Sequence, residues 1–334
     1  MKLNLKSIAY LAALVSLAAP AQADWVRRVT DGIMGTRITV ELWADDKDKA
    51  EQAIDAVLDE MRHIDESMST YKPTSEVSLV NATAADGPMR ISKELFDLLT
   101  TAKEYSVITD GAFDITYASV GYMYDFRKHI HPDEAQIGKA LPAVNFRHVL
   151  LDSKNQTVQF SQKGVRIDLG GIAKGYSVDR GIEILKARGF TRAYVAAGGD
   201  SRIIGDRFGK PWMVGIRDPR KGAGEVITRI PLADAAMSTS GDYERYFEEN
   251  GVRYHHIIDP HTGHSASKVR SATIIGPYAT RTDGLSKTAF VLGPEKAMEI
   301  YNRIDDIDAI IVKLDGSVIY SKGIEPARGA APAK

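Results

Sequence analysis

Three short stretches carry residue types suited to chemistry on a phosphate ester. The first is Asp168-Leu169-Gly170-Gly171-Ile172-Ala173-Lys174-Gly175-Tyr176-Ser177-Val178-Asp179. Its glycines let the backbone approach a ligand closely, amide hydrogens at a helix start attract anions, and Lys174 adds a positive charge. Neither common nucleotide motif fits. A P-loop needs Lys directly after Gly175, where Tyr176 stands, and glycines at 170, 171 and 175 break the Gly-x-Gly-x-x-Gly spacing. The same glycines equally suit a tight strand-to-helix turn that holds nothing.

The second stretch is Thr280-Arg281-Thr282-Asp283-Gly284-Leu285-Ser286-Lys287-Thr288. Asp283 reads either as the N-cap of a helix or as a hard oxygen ligand for Mg²⁺, with hydroxyls beside it. The third, Tyr254-His255-His256-Ile257-Ile258-Asp259-Pro260-His261-Thr262-Gly263-His264, holds half of the chain's eight histidines. Imidazoles suit zinc, but no Cys or Glu joins this cluster, and Asp-Pro-x-Thr-Gly is turn chemistry. His256 precedes two apolar residues, as at the end of a buried strand aimed into a site. It reads as a general base, with a hydrogen-bonded turn histidine as the plainer alternative. His255, His261 and His264 are assigned to surface turn positions without chemistry.

The elements that must position these stretches follow from periodicity. Arg37 to Leu42 alternates apolar and polar, as a half-buried strand does, and Lys47 to Met68 has helical spacing. Leu95 to Val107 reads as a second helix, and Gly121 to Val144 as a long surface excursion without a clear period. Val165 to Leu169 alternates like a strand; a glycine turn and a helix carrying Val178, Ile182 and Leu185 follow, then a strand at Tyr194 to Ala197. A similar unit recurs later, with a strand at Ala272 to Ile275, a helix at Asp283 to Val291 and a strand at Ala309 to Leu314. Two such units offer two helix N-termini to anions, expected to face one cleft.

The composition is that of an ordinary globular chain, 44% apolar and 26% charged, with a formal net charge of −1. Nucleic acid, which selects a basic surface, is excluded as a partner. Lys2 and Lys6, the apolar run Ile8 to Ala19 and Ala21-Gln22-Ala23 spell a cleaved secretory leader over residues 1–23. The run is too short to span a bilayer, and the cysteine count of zero excludes a lipid anchor on Cys and any disulfide. The expected location is the periplasm. One folded unit is expected over residues 24–323, with a disordered Ala- and Pro-rich tail at 324–334.

In order along the chain, Met34-Gly35-Thr36, Ser69-Thr70-Tyr71 with Ser75-Glu76, Gly111-Ala112-Phe113-Asp114 and the Asp168 to Asp179 run resemble the ApbE family of FAD:protein FMN transferases. So do Ala197-Gly198-Gly199-Asp200, Ser238 to Tyr243, the His256 to Gly263 turn, and the Asp283 segment ending in Val291-Leu292-Gly293-Pro294. Each piece is short; their order along residues 32 to 323 is what carries the likeness.

That resemblance implies an α+β fold of two intertwined lobes, with mixed sheets, flanking helices and a ligand cleft between the lobes. It implies FAD in the cleft and Mg²⁺ on its pyrophosphate. Met34 and Tyr71 match flavin-contacting positions, and Ala112, Phe113, Asp114, Asp168, Lys174 and Ile258 match residues that hold FAD. Gly171, through its carbonyl, and Asp283 match metal ligands, and His256 matches the residue acting in catalysis. Such proteins usually carry Thr four residues after the aspartate as a further metal ligand; here Lys287 stands there. An ammonium has no lone pair for a metal. Either Ser286 or Thr288 substitutes, or Lys287 contacts phosphate itself.

The implied reaction is attack by a Thr or Ser hydroxyl of an acceptor protein on the FMN phosphorus of FAD, with His256 taking the proton and AMP leaving. The implied acceptor is a subunit of a membrane electron-transport complex of the quinone-reductase type. An FAD pyrophosphatase and a non-catalytic flavin-binding protein remain the rivals. Ordinary histidine chemistry adds that activity should fall below about pH 6.

Overall fold

Residues 23–221 and 225–324 are described by a computed structural model. The leader, apart from Ala23, and the tail, apart from Ile324, lie outside the described residues. The strands are β1 (Asp24–Ile33), β2 (Thr36–Ala44), β3 (Met89–Arg90), β4 (Val149–Asp152), β5 (Thr157–Phe160), β6 (Ala193–Ala197), β7 (Asp200–Ile204), β8 (Trp212–Arg217), β9 (Val226–Leu232), β10 (Ala236–Gly241), β11 (Tyr246–Glu249), β12 (Val252–His255), β13 (Val269–Gly276), β14 (Asp308–Lys313) and β15 (Val318–Tyr320). The helices are α1 (Lys47–Met68), α2 (Glu76–Thr83), α3 (Lys93–Ile108), α4 (Ala118–Gly121), α5 (Glu134–Ala140), α6 (Ala173–Ala187), α7 (Ala279–Leu285), α8 (Thr288–Leu292) and α9 (Pro294–Tyr301).

An eight-stranded sheet in the order β1-β2-β6-β7-β10-β13-β14-β15 forms the main layer. Its neighbours pair antiparallel throughout, with Val40 opposite Val195 and Thr239 opposite Thr273. β1 and β2 are joined by Met34 and Gly35 alone, both at positive φ, 52° and 65°. A two-residue turn of that hand matches the strand twist, and glycine takes one of its two left-handed positions without strain.

Two cores meet along one helix. The apolar stripe of α1 buries Ala50, Ile54, Val57, Leu58 and Met61 against β2, β6 and α6. Ile64 and Met68, one and two turns further on, belong instead to a second core with α2, α3 and the small sheet β3-β5-β4. At 22 residues α1 is about 33 Å long, enough to reach both. Asp46 starts it by accepting from Lys49 N at 3.0 Å. The glycine turn is a second crossing point. Leu169, Ile172 and Ala173 sit in the second core, while Val178, Ile182 and Leu185 of α6 pack on the sheet. The chain is thus an α+β protein of two interlocked lobes, stitched by α1 and by the turn at 169–173.

Three expected elements differ. Val165 to Leu169 alternates buried and less buried residues but joins no ladder. Asn81 both donates to and accepts from the Ile167 backbone, at 2.9 and 2.7 Å, and Ser119 Oγ accepts from Arg166 N. Side chains fill the places of a neighbouring strand. The stretch 121–144 is not a bare excursion. It contains α5, and Ile137 packs with Val120, Tyr124 and Ile258 in a small core of its own. The helix expected from Asp283 to Val291 is two pieces, α7 and α8, broken at Ser286 and Lys287.

Candidate active site

Helix α6 begins at Ala173, and no side chain from its own N-cap residue, Ile172, satisfies its first amides. A carboxylate from another helix does. Gly175 N donates to Asp283 Oδ2 at 3.1 Å, across the contact between α6 and α7. A Cβ on Gly175 would run into the Ala279 carbonyl, so this approach requires glycine. The arrangement is reciprocal. Asp179 of α6 accepts from Ala279 N at 2.9 Å and Thr280 N at 2.8 Å, capping α7. Asp283 is therefore no N-cap of its own helix; it lies inside α7 and caps α6. The α7 N-terminus, expected to share a cleft with Gly171, is closed by Asp179 instead.

Around Asp283 stand three more buried charges. Lys174 Nζ donates to Asp200 Oδ2 at 2.5 Å and to Asp283 Oδ2 at 3.4 Å. Lys287 Nζ donates to Asp283 Oδ1, to the Asp283 carbonyl at 2.8 Å and to the Gly171 carbonyl at 3.1 Å. Asp283 and Asp200 are almost wholly enclosed, with side chains 1% and 4% exposed, so their charges are weakly screened. Burial pushes the Asp283 carboxyl up, but Lys174 and Lys287 outweigh it and hold the group below the usual carboxylate range. For Asp200, burial and the Asp283 charge prevail over Lys174, and the group is raised. Lys174 is raised by Asp200 and Asp283 against the opposing effect of burial, whereas burial lowers Lys287.

The residues implied as Mg²⁺ ligands lie in this same cluster. The Gly171 carbonyl and the Asp283 carboxylate do converge, but on the Lys287 ammonium, whose three protons meet three oxygens. Ser286 Oγ is engaged with Ser240 Oγ at 2.7 Å and donates to the Asp283 carbonyl at 2.8 Å. Thr288 Oγ1 is buried without a hydrogen-bond partner and follows the break between α7 and α8. Among the described residues no group of three or more His, Asp or Glu is placed to hold a metal ion. The donor set does not fit Mg²⁺ while Lys287 occupies its centre.

Of the other implied contacts, Phe113 and Asp168 lie at the glycine turn beside this cluster. The Phe113 ring lies against Gly171, where an added Cβ would meet it at 3.3 Å. Asp168 accepts from Thr70 Oγ1 at 2.6 Å, Tyr117 OH at 3.1 Å and Gly170 N at 2.7 Å, which fixes the glycine turn. Burial and the Asp168 charge hold the Tyr117 phenol well above its ordinary value. Tyr71 is 88% exposed, an aromatic ring free to stack on a ligand. Met34 is half-buried at the hairpin tip, packed against both cores. Ala112 and Asp114 are buried, and Asp114 is spent on structure: it caps the turn at Ile115–Tyr117 and accepts from Phe146 N at 2.7 Å. Ile258 is buried under the 121–144 segment, 6% exposed, and bridges to Ser265.

His256 follows β12, its backbone amide donating to the Arg245 carbonyl at 3.1 Å. Its Nδ1 is buried with no partner. Burial lowers the ring's pKa to about 3, and His255, Arg245, Lys287 and Lys174 push it the same way. Burial thus favours the neutral ring, which argues against the expected loss of activity below about pH 6. His255 also departs from expectation. It is 1% exposed, edge-on to Phe290, and burial lowers it to about 4. His261 and His264 do sit on an exposed turn, with His261 Nδ1 3.0 Å from Asp259.

Sequence reasoning passed over Asp200, Asp179 and Arg202. For Asp200, within Ala197-Gly198-Gly199-Asp200, the available signal is an acid ending a glycine turn before an apolar strand. Asp179 and Arg202 meet at 3.0 Å across separate elements, with nothing in the sequence to pair them.

A two-lobed α+β fold that gathers two lysines and two carboxylates at a glycine-started helix, beside an unpartnered histidine, defines a class of anion-handling enzyme. The profile described as "ApbE family" matches residues 34–311, and the chain belongs to the ApbE family. A FAD:protein FMN transferase of Treponema pallidum is 34% identical over 77% of this chain and 76% of its own length. One from Haemophilus influenzae is 32% identical over 96% of both chains. The crystal structure of the ApbE protein of Thermotoga maritima superposes with a TM-score of 0.82 at 36% identity, covering 90% of this chain and 98% of its own. The flavin transferase ApbE of Vibrio cholerae gives 0.78 at 27% identity, covering 90% and 98%.

Proposed function

We propose that the protein moves FMN from FAD onto a Thr or Ser hydroxyl of an acceptor protein and releases AMP. The carrying observation is the Lys174–Asp200–Asp283–Lys287 cluster at the start of α6, beside Gly171 and Phe113. Splitting a pyrophosphate requires positive charge where negative charge spreads, and alignment of nucleophile with leaving group. Lys174 and Lys287 supply that charge, and no step is routed through a metal. The acceptor oxygen attacks the FMN phosphorus, and a phosphoester bond forms. The bond between that phosphorus and the bridging oxygen breaks, and the oxygen leaves on AMP. His256, uncharged and with Nδ1 unpartnered, takes the hydroxyl proton.

The exposed Tyr71 and half-buried Met34 are read as the flavin end of the same site, with Phe113 and Asp168 at the glycine turn; for the buried Ala112, Asp114 and Ile258 the support is the family resemblance. The leader-like N-terminus supports work in the periplasm. The resemblance supports an acceptor from a membrane electron-transport complex of the quinone-reductase type. Purified protein incubated with FAD and such an acceptor should leave a flavin-fluorescent acceptor band after denaturing electrophoresis. FMN and AMP in solution with a dark acceptor band would mean a pyrophosphatase; intact FAD would mean a binder.

A further inference from the structure

We infer that the Lys287 ammonium is the built-in cation of this site and takes the place of a divalent metal, so that the protein engages FAD without Mg²⁺. The inference rests on the FAD reading above. Its basis is the occupancy of one point in space. Three oxygens from two crossing segments, the carbonyls of Gly171 and Asp283 and Asp283 Oδ1, converge on Lys287 Nζ, and an ammonium has three protons to give. A cation site of this geometry cannot hold Nζ and a metal ion together.

Charge balance points the same way. With Lys287 in place, two lysines face two carboxylates, and the buried cluster is neutral as it stands. A divalent ion added there would leave a buried excess of two positive charges in a weakly screened setting, which is strongly opposed. With an uncharged residue at 287 the same cluster would carry a net negative charge and draw a cation in. Lys287 is held in place as well as charged. It lies at the break between α7 and α8, its side chain 17% exposed, and its methylene stem reaches the space beside Gly171.

The substitution Lys287→Thr separates the two designs. Mn²⁺ serves as the probe, read by electron paramagnetic resonance of the free ion, with and without FAD. The wild-type protein should leave Mn²⁺ free, show no Mg²⁺-dependent rise in melting temperature, and bind FAD with equal affinity in EDTA and in millimolar Mg²⁺. Lys287→Thr should bind Mn²⁺, gain a Mg²⁺-dependent rise in melting temperature, and bind FAD more than about tenfold better with Mg²⁺ than with EDTA. Lys287→Arg, which keeps the charge, should stay indifferent to metal. Stoichiometric Mn²⁺ on the wild-type chain, or FAD affinity raised about tenfold by Mg²⁺, overturns the inference even if the threonine variant does not fold. A wild-type chain that binds neither Mn²⁺ nor FAD counts against the FAD reading and leaves the lysine-for-metal exchange to stand on the Mn²⁺ contrast between the variants.

Discussion

The N-termini of α6 and α7 are built alike and used differently. Each is closed by an aspartate from the other helix. At α7, Asp179 meets Ala279 N, Thr280 N, Thr280 Oγ1 and the Arg202 guanidinium, and every lone pair is committed. At α6, Asp283 meets one amide and two ammonium groups, one of which it shares with Asp200. A planar guanidinium that fills a carboxylate makes a joint; two ammonium groups held beside a glycine turn leave positive charge next to backbone that a ligand can approach. The same motif thus serves as a fastening at one end and as a receptor at the other.

Removing each aspartate breaks that comparison most sharply. Asp283→Ala should lower transfer to background and, by leaving two buried lysines with one acid, cost about 3–5 kcal/mol of stability. That exceeds the ~1 kcal/mol of a lost N-cap. Asp179→Ala, which uncaps α7 and leaves the buried Arg202 with Glu183 alone, should cost stability too while the folded fraction transfers at the normal rate. Denaturant titrations paired with rates per folded molecule measure both. Equal loss of activity in the two variants would erase the distinction.

His256→Ala comes next. FAD binding should persist while turnover falls roughly 10²–10⁴-fold, the usual contribution of a placed base. His261→Ala and His264→Ala should change little. The pH response follows in size. His255 and His256 titrate near 4 and 3 when folded but near 6.5 when unfolded. Below pH 6.5 the unfolded chain therefore binds more protons, so stability present at neutral pH is lost progressively as the pH falls from about 6.5 towards 3. Melting temperatures should drop across that window and drop less in His256→Gln, while transfer per folded molecule stays level through pH 6. The smallest effect belongs to Tyr71→Ala. At 88% exposure it should leave stability within ~0.5 kcal/mol yet weaken FAD binding several-fold, about 0.5–1.5 kcal/mol for one stacked ring.

Local signals carried the elements that local chemistry determines. The period of α1 and the alternation of β2 were readable because each buries one face of its own residues. Val165 to Leu169 looked the same and is no strand, because its hydrogen bonds go to the side chains of Asn81 and Ser119 and to the single carbonyl of Ile115, more than forty residues away. Asp283 looked like a cap and is one, but for a helix that begins over a hundred residues earlier. His255 and His256 were indistinguishable as letters. One closes a strand against Phe290, and the other follows that strand with a buried, unpartnered Nδ1. Lys287 was visible as a departure from the family pattern, but the three oxygens around it come from segments that only the fold brings together.

The place of β2 in the sheet has a consequence for assembly. Its partner on the far side from β1 is β6, and Ile38 faces Ala197 with the whole second lobe intervening in sequence. Helix α1 follows the hairpin directly and can cover Ile38, Val40 and Leu42 at once, but the strand that pairs the open edge of β2 lies more than a hundred residues further on. Closing that long loop is a non-local step, so substitutions that strengthen the β1–β2 turn alone are expected to change the folding rate less than substitutions at the β2–β6 seam.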